Sequence, residues 1–235
     1  MAGFKDIIGH EMIKDHFQKA IEYHKVSHAY ILSGEQGMGR KTLAKAFAMT
    51  LLCEKSDKEP CMECHSCKQI LSGNHPDVIW VTHEKPNSIG VDDIREQLND
   101  TIQIKPYSSA YKIYLVDEAE KMNLAAQNAI LKTIEEPPSY GIILLLTANR
   151  GAFLPTILSR CILLSVKPVP DQEIKDYLVN TLHVPEPTAE FCVGFSMGNM
   201  GKAVDAALSE EFLELRQFSI SVLQYIHEAE PFELA

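Results

Sequence analysis

The chain is poor in positive charge and has no long apolar run. It contains 22 lysines and arginines against 32 aspartates and glutamates, a formal net charge of −10. This negative net charge argues against a protein that binds nucleic acid over its whole surface, although it is compatible with a local basic patch. No segment approaches the roughly 18 apolar residues of a membrane helix, and the opening residues, MAGFKDIIGHEM, lack the apolar core of a secretory signal. We therefore expect a cytoplasmic protein with no membrane partner.

Cysteine is scarce outside one short segment. Four of the six cysteines lie within residues 53–67, and Cys161 and Cys192 stand apart from them. In a cytosolic chain such a cluster indicates metal binding more than disulfides. The four clustered residues are Cys53, Cys61, Cys64 and Cys67.

The spacing of these cysteines suits one structural zinc ion. Three follow one another in a Cys-x-x-Cys-x-x-Cys pattern, and the fourth lies eight residues upstream. Four soft thiolates match the tetrahedral zinc site, and with no open ligand position we expect no catalysis at the metal. His65 could replace one ligand. An iron–sulfur cluster and a loop of free thiols are the alternatives.

Hydrophobic patterning predicts strands that alternate with helices, which is typical of a doubly wound α/β domain with a parallel sheet. The run GIILLLTAN at 141–149 is continuously apolar, as strands buried on both faces are. The predicted strands lie in 28–34, 77–83, 112–122, 141–149 and 154–166, and the predicted helices in 5–24, 41–53, 91–103 and 123–138.

The pattern changes after the segment KPVP, and the remaining segments are helical with no clear strand. We predict an α/β domain over 1–166 with an inserted zinc module at 53–67, and a small helical domain over 167–208. Residues 209–235 would begin a further helical domain, and the ending EAEPFELA leads us to expect that this domain is cut short.

The segment GEQGMGRKT at 34–42 is a near match to the phosphate-binding loop G-x-x-x-x-G-K-S/T. It lies between a predicted strand and a predicted helix, which is the context such a loop requires. The lysine position holds Arg40, and the hydroxyl position, a magnesium ligand, holds Lys41. These changes predict that ATP is not hydrolysed and leave nucleotide binding open; a tight turn with no ligand is the plain alternative. The candidate residues are Gly34, Gly37, Gly39, Arg40, Lys41 and Thr42.

A second nucleotide-site feature follows the strand KIYLV. Asp117 and Glu118 occupy the strand end where, in nucleotide hydrolases, an aspartate supports magnesium and a glutamate orients water. Carboxylates also favour the start of a helix, so the pair alone is a moderate signal. The acidic pair follows the near-match phosphate loop in the order and at the separation seen in nucleotide hydrolases, so a degenerate nucleotide site is the stronger interpretation.

Arg160, in the segment LSRC, follows a short helical turn and precedes the last strand. An exposed arginine on a rigid turn can reach a neighbouring subunit's phosphate site and neutralise charge in the transition state. From these four residues alone, a surface or salt-bridged arginine is the simpler interpretation.

Several stretches together resemble the bacterial clamp-loader AAA+ proteins, the family that opens the sliding clamp for the replicative DNA polymerase. The resemblance covers essentially the whole chain. It is carried by FKDIIGHEMIKDHFQKAI, SHAYILSGEQGMG, the four cysteines, YLVDEAEKMNLAAQNAILKTIEEPP, ILSRC and GNMGKA. The family's ATPases have an intact phosphate loop and usually an arginine where this chain has Gly201. Losses on both sides of one site make the chain similar to the non-hydrolysing members.

The resemblance implies a subunit that assists clamp loading without hydrolysing ATP. Arg160 would act in trans on ATP bound by an adjacent subunit, and structural zinc would be the cofactor. The implied partners are the tau/gamma and delta subunits of DNA polymerase III, the sliding clamp, and primed DNA within the complex. The segment from about residue 209 would begin the family's C-terminal helical collar.

Two other functions stay open at this point. The chain could be a tau/gamma-like ATPase whose atypical loop uses Lys41, which predicts ATP turnover. It could instead be a zinc-bearing nucleic-acid module, which predicts tight DNA binding and conflicts with the acidic balance.

Overall fold

The structure is a computed structural model that describes residues 3–56 and 58–228. The chain divides into two compact units, with the boundary between Lys167 and Pro168. The first unit contains a sheet with helices on both faces, and the second is built from helices. A further domain from residue 209 stays a prediction, and residues 229–235 lie outside the described residues.

A five-stranded parallel sheet forms the centre of the first unit, in the order β2-β3-β4-β1-β5. In the register of these strands, Ile31 of β1 lies opposite Leu145 of β4 on one side and Leu163 of β5 on the other. All residues of β4 are buried, and this burial explains why its sequence is an unbroken apolar run. The strands are β1 (Ala29–Ser33), β2 (Val78–Val81), β3 (Lys112–Val116), β4 (Gly141–Thr147) and β5 (Ile162–Ser165).

Helices cover both faces of this sheet. They are α1 (Glu11–Glu22), α2 (Arg40–Leu51), α3 (His65–Ser72), α4 (Val91–Ile94), α5 (Asp100–Ile102), α6 (Leu124–Glu135) and α7 (Pro155–Leu158), with 3-10 turns at Phe4–Asp6, Ala119–Lys121 and Arg150–Ala152. One face buries an aromatic cluster in which the rings of Phe17 and Phe47 lie 4.3 Å apart. The opposite face is packed mainly with aliphatic side chains from α4, α6 and the sheet.

Two predicted helices are interrupted in the structure. The predicted helix 5–24 is broken before α1, because Gly9 and His10 take the left-handed backbone conformation with φ of 69° and 60°. The predicted helix 91–103 contains a π-helical segment, Arg95–Asn99, between α4 and α5. Apolar spacing continues across both interruptions, so the pattern alone does not reveal them.

The second unit consists of helices α8 (Asp171–Asn180), α9 (Glu186–Ser196), α10 (Met200–Leu208) and α11 (Glu210–Glu228). Phe195 of α9 packs on Phe212 of α11 with ring centroids 4.8 Å apart. The Arg216 guanidinium lies 4.4 Å above the ring of Phe191. Across the described parts of both units, none of the helices has the length and apolar character needed to span a membrane.

A buried carboxylate ties the segment before β3 to the start of β2. Asp77 is 1% exposed and accepts backbone N–H bonds from Tyr107, Ser108 and Ser109 at 2.6, 2.8 and 2.9 Å. Burial by itself raises the pKa of Asp77, but these bonds outweigh it, and the pKa lies below its usual value. The charged form is therefore the one that stabilises this corner of the fold.

We expect Asp77→Asn to lower the free energy of unfolding by about 1.5–3 kcal/mol near neutral pH, because an amide cannot accept all of these bonds. The native pKa is depressed, so the stabilisation is present above the unfolded-state pKa and is lost as the pH falls through the native value. Urea unfolding at pH 7 and at several values from about 5 to 3 should show the two proteins converging in acid. Asp15→Asn, at an exposed position on α1, is the control. A difference that stays constant in acid would contradict the assignment.

Candidate functional site

The segment 34–42 has the backbone form of a phosphate loop. It joins β1 to α2 at the carboxyl edge of the sheet, where β1 is flanked by β4 and β5 and where such folds bind ligands. Gly37 and Gly39 have φ of 87° and 89°, a conformation that glycine adopts without strain. A Cβ on Gly34 would lie 2.8 Å from the Cβ of Val166, so this position accepts only glycine without rearrangement.

Lys41 and Asp117 meet across this site. The Lys41 ammonium lies 2.6 Å from one carboxylate oxygen of Asp117, joining the start of α2 to the end of β3. Lys41 stands where a magnesium-ligating hydroxyl belongs, and it is paired with the carboxylate that would support the metal. A cation and its ion pair at that point do not fit a magnesium site. Thr42, the next residue, is only partly buried as the third residue of α2.

Arg40 begins α2 and is 7% exposed. Its Nη1 is buried without a hydrogen-bond partner, and so is the second carboxylate oxygen of Asp117. Guanidinium stays charged at any physiological pH, so a buried N–H without an acceptor is a costly arrangement. The site therefore contains one buried donor on Arg40 and one buried acceptor on Asp117 that lack hydrogen-bond partners.

Glu118 forms an ion pair with a lysine of the same turn. It adopts the left-handed conformation with φ of 49°, and its carboxylate lies 2.7 Å from the Lys121 ammonium. Lys121 also donates to the backbone oxygen of Pro86 at 2.8 Å. The hydrogen bond from Lys121 lowers the pKa of Glu118. The ion pair therefore involves the Glu118 carboxylate, to which the sequence assigns the role of orienting water. The sequence analysis did not identify Lys121 as its partner.

His10 also lies beside the loop, and the sequence interpretation missed it. Its Nε2 is 3.7 Å from the place that a Cβ on Gly39 would occupy. Burial lowers the pKa of His10, against an opposing hydrogen bond with the Met38 backbone. The Gly9-His10 pair lies inside the predicted helix 5–24, and its left-handed turn depends on the tertiary fold.

Arg160 follows α7 and is held against α6. Its guanidinium lies 3.0 Å from Glu135 and donates to the Thr156 backbone oxygen at 3.0 Å. The side chain is 40% exposed, so a partner could still reach it. An exposed ion pair of this kind is weak, and exchange of Glu135 for a more highly charged phosphate is feasible.

The four clustered cysteines converge as the spacing predicts. The Sγ atoms of Cys53, Cys61, Cys64 and Cys67 all lie within 4.8 Å of one another. Backbone N–H groups point at three of the sulfurs, from Cys61 to Cys53, Cys64 to Cys61 and Cys67 to Cys64, at 3.3–3.4 Å. Four sulfurs that converge in this way can hold one metal ion, and their softness and number fit zinc.

The local electrostatics favour thiolate at the open end of the cluster. N–H bonds from Cys64 and Glu63 lower the pKa of Cys61 to about 6. Burial raises the pKa of Cys67, and a metal ion is what would hold that sulfur as thiolate. Cys64 and Cys67 are 5% and 0% exposed and belong to the core around α2, so the cluster is part of the fold of the first unit.

Comparison with known proteins gives the family. A family model described as "DNA polymerase III, delta subunit" matches residues 9–170. The chain is 36% identical over 215 residues to DNA polymerase III subunit tau of Bacillus subtilis, covering 88% of this chain and 38% of that protein. It is 31% identical over 210 residues to subunit delta' of the same organism, covering 89% of this chain and 62% of that protein. The chain belongs to the clamp-loader family of DNA polymerase III. This confirms the family that the sequence motifs indicate.

Solved structures confirm the AAA+-type fold of this clamp-loader chain. A gamma subunit-related protein of Thermotoga maritima aligns with TM-score 0.56 and 24% identity, over 83% of this chain and 57% of that one. RuvB of Thermotoga maritima, a Holliday junction branch migration motor, aligns with TM-score 0.59 and 18% identity, over 88% and 63%. At these identities the likeness concerns the fold alone. The chain spans less than two thirds of each of these four proteins.

Proposed function

We propose that this chain is a non-hydrolysing clamp-loader subunit of the delta-prime type. The observation that carries the proposal is the ion pair between Lys41 and Asp117, 2.6 Å long, at the place where a hydrolase would hold magnesium. Without that metal, the charge that develops on a transferring phosphoryl group has no counterion of the required kind. Glu118, bound to Lys121, adds a second reason for the site to be inactive.

The proposed role is to act on the neighbour's nucleotide. Arg160 lies just after α7 at the surface of the first unit, where its present partner is the half-exposed Glu135. In the assembled loader, Arg160 would face ATP held by an adjacent tau/gamma subunit. The delta subunit, the sliding clamp and primed DNA are the other proposed partners, and the family's role in replication supports a cytoplasmic location.

Zinc is the proposed metal of the cysteine cluster, with a structural role. All four sulfurs converge, and two of the cysteines are buried in the core. Zinc with four protein ligands stabilises a loop-rich segment and offers no site to a substrate.

One observation favours a second candidate function, a tau/gamma-like ATPase. The chain is more similar to subunit tau than to subunit delta' of Bacillus subtilis, at 36% against 31% identity. Overall identity counts every aligned residue, whereas hydrolysis depends on a few side chains, and the lysine and the magnesium-ligating hydroxyl of the phosphate loop are replaced here by Arg40 and Lys41. We therefore place the non-hydrolysing role first.

ATP turnover by the purified chain decides between the two functions. We expect no magnesium-dependent release of phosphate above background, because the metal position is held by an ammonium. An intact clamp-loader ATPase subunit, assayed under the same conditions, is the positive control. Turnover that disappears in Lys41→Ala would assign the chain to the ATPases and overturn the proposal.

A further inference from the structure

The start of α2 places several hydrogen-bond donors close together. This helix is 12 residues long, and its cap, Gly39, has no side chain to accept from the first N–H groups. Such a helix end attracts anions, and here it also carries two cationic side chains, Arg40 and Lys41. A helix end alone is a common feature, so the inference depends on what the two cations do.

One nitrogen of the Arg40 guanidinium lacks an acceptor. The guanidinium is nine-tenths buried, and Nη1 has neither solvent contact nor a hydrogen-bond partner. Asp117, the acid that closes this site, is paired with Lys41 and leaves its own second oxygen unpaired. Nη1 therefore has no acceptor in the present arrangement, and a phosphate oxygen would supply one of the required charge.

Lys41 holds the position that divalent metal takes in an intact loop. Its ammonium is 65% exposed and lies 2.6 Å from the Asp117 carboxylate. It therefore has one hydrogen bond to the protein and further N–H donors that face outward. A magnesium ion brought in with nucleotide would meet the like charge of the Lys41 ammonium, beside a carboxylate with one oxygen already paired.

We propose that Lys41 is a built-in replacement for the magnesium ion, so that the loop at 34–42 binds the phosphates of a metal-free nucleotide. Arg40 and the N–H groups of α2 would donate to the remaining phosphate oxygens. Bound nucleotide would then brace the loop without being hydrolysed. This inference rests on the proposed non-hydrolysing function and adds the ligand and its metal preference.

Isothermal titration of the whole chain with ATP, in excess EDTA and in excess Mg²⁺, tests the proposal. We expect binding in EDTA and at least about tenfold weaker binding in Mg²⁺, the difference expected for losing one charged hydrogen bond. Binding that requires Mg²⁺, or no binding in EDTA, would overturn the inference. Neither result bears on the non-hydrolysing function, which only ATP turnover contradicts.

Two variants separate the role of Lys41 from general charge. Lys41→Met should bind metal-free ATP about tenfold more weakly or worse, since it keeps length but loses the ammonium. The double variant Arg40→Lys/Lys41→Thr restores the complete loop pattern and frees Asp117, so its binding should be strengthened by Mg²⁺. Lys19→Ala is the matched control, because it removes another exposed lysine paired with an aspartate, at 2.8 Å. A Lys41→Met protein that binds like this control, with an unchanged thermal midpoint, would also overturn the proposal.

Discussion

Replacing Arg160 by alanine in a reconstituted clamp loader is expected to slow ATP hydrolysis at the adjoining subunit by about 10³-fold. The guanidinium would stabilise charge on the transferring phosphoryl group, and that contribution is absent from the ground state. Single-turnover hydrolysis, with clamp and primed DNA present, should show the affected site as a slow phase beside the phases of the other sites. The isolated chain should keep its thermal midpoint, because the Arg160 ion pair is an exposed one.

Three comparisons make this result specific to Arg160. Arg160→Lys should recover little of the rate, because an ammonium cannot replace the planar fork. Glu135→Gln removes the present partner at 3.0 Å and should leave the rate unchanged or higher. Arg95→Ala, at another exposed arginine, is the control for loss of surface charge. Hydrolysis by the Arg160→Ala complex at the rate of the Arg95→Ala complex would exclude the trans-acting role.

Replacing Cys67 by serine is expected to remove the bound metal and to lower the free energy of unfolding by at least about 4 kcal/mol. The residue is fully buried and shares the core with α2, so loss of the metal would expose the core around it and leave a polar hydroxyl inside. Elemental analysis and urea unfolding measure the two effects. A chelator applied to the unaltered chain should reproduce the loss of stability.

Cys192→Ala is the matched control for this experiment. Cys192 is also buried, but it lies in the second unit, outside the cluster. We expect this variant to retain about one zinc per chain while losing some packing energy. If protein purified without chelator contains far less than one zinc per chain, or if Cys67→Ser keeps its metal, the four-cysteine site is wrong.

Much of the first unit could be predicted from local pattern. The five strands occur within the predicted segments, and the fully buried β4 gives the clearest signal, because a strand buried on both faces requires continuous apolar residues. Asn123 caps α6 through a bond from the Ala126 N–H at 2.8 Å, as its position before the apolar periodicity indicates. The interruptions at His10 and at Arg95–Asn99 could not be predicted, since they depend on how the helices meet the sheet.

The candidate sites divide in the same way. The sequence by itself determined the cysteine set, the loss of the lysine and hydroxyl in the loop, and the presence of an arginine after α7, because these are facts of residue type and short spacing. Only the tertiary structure decided that Lys41 pairs with Asp117, that Glu118 pairs with Lys121, and that Nη1 of Arg40 is buried without an acceptor. Lys41 and Asp117 are 76 positions apart in the sequence, and their meeting depends on the strand order that brings β1 and β3 to one sheet edge. Ion pairing falls off steeply with distance, so the state of this site follows from that placement and not from composition.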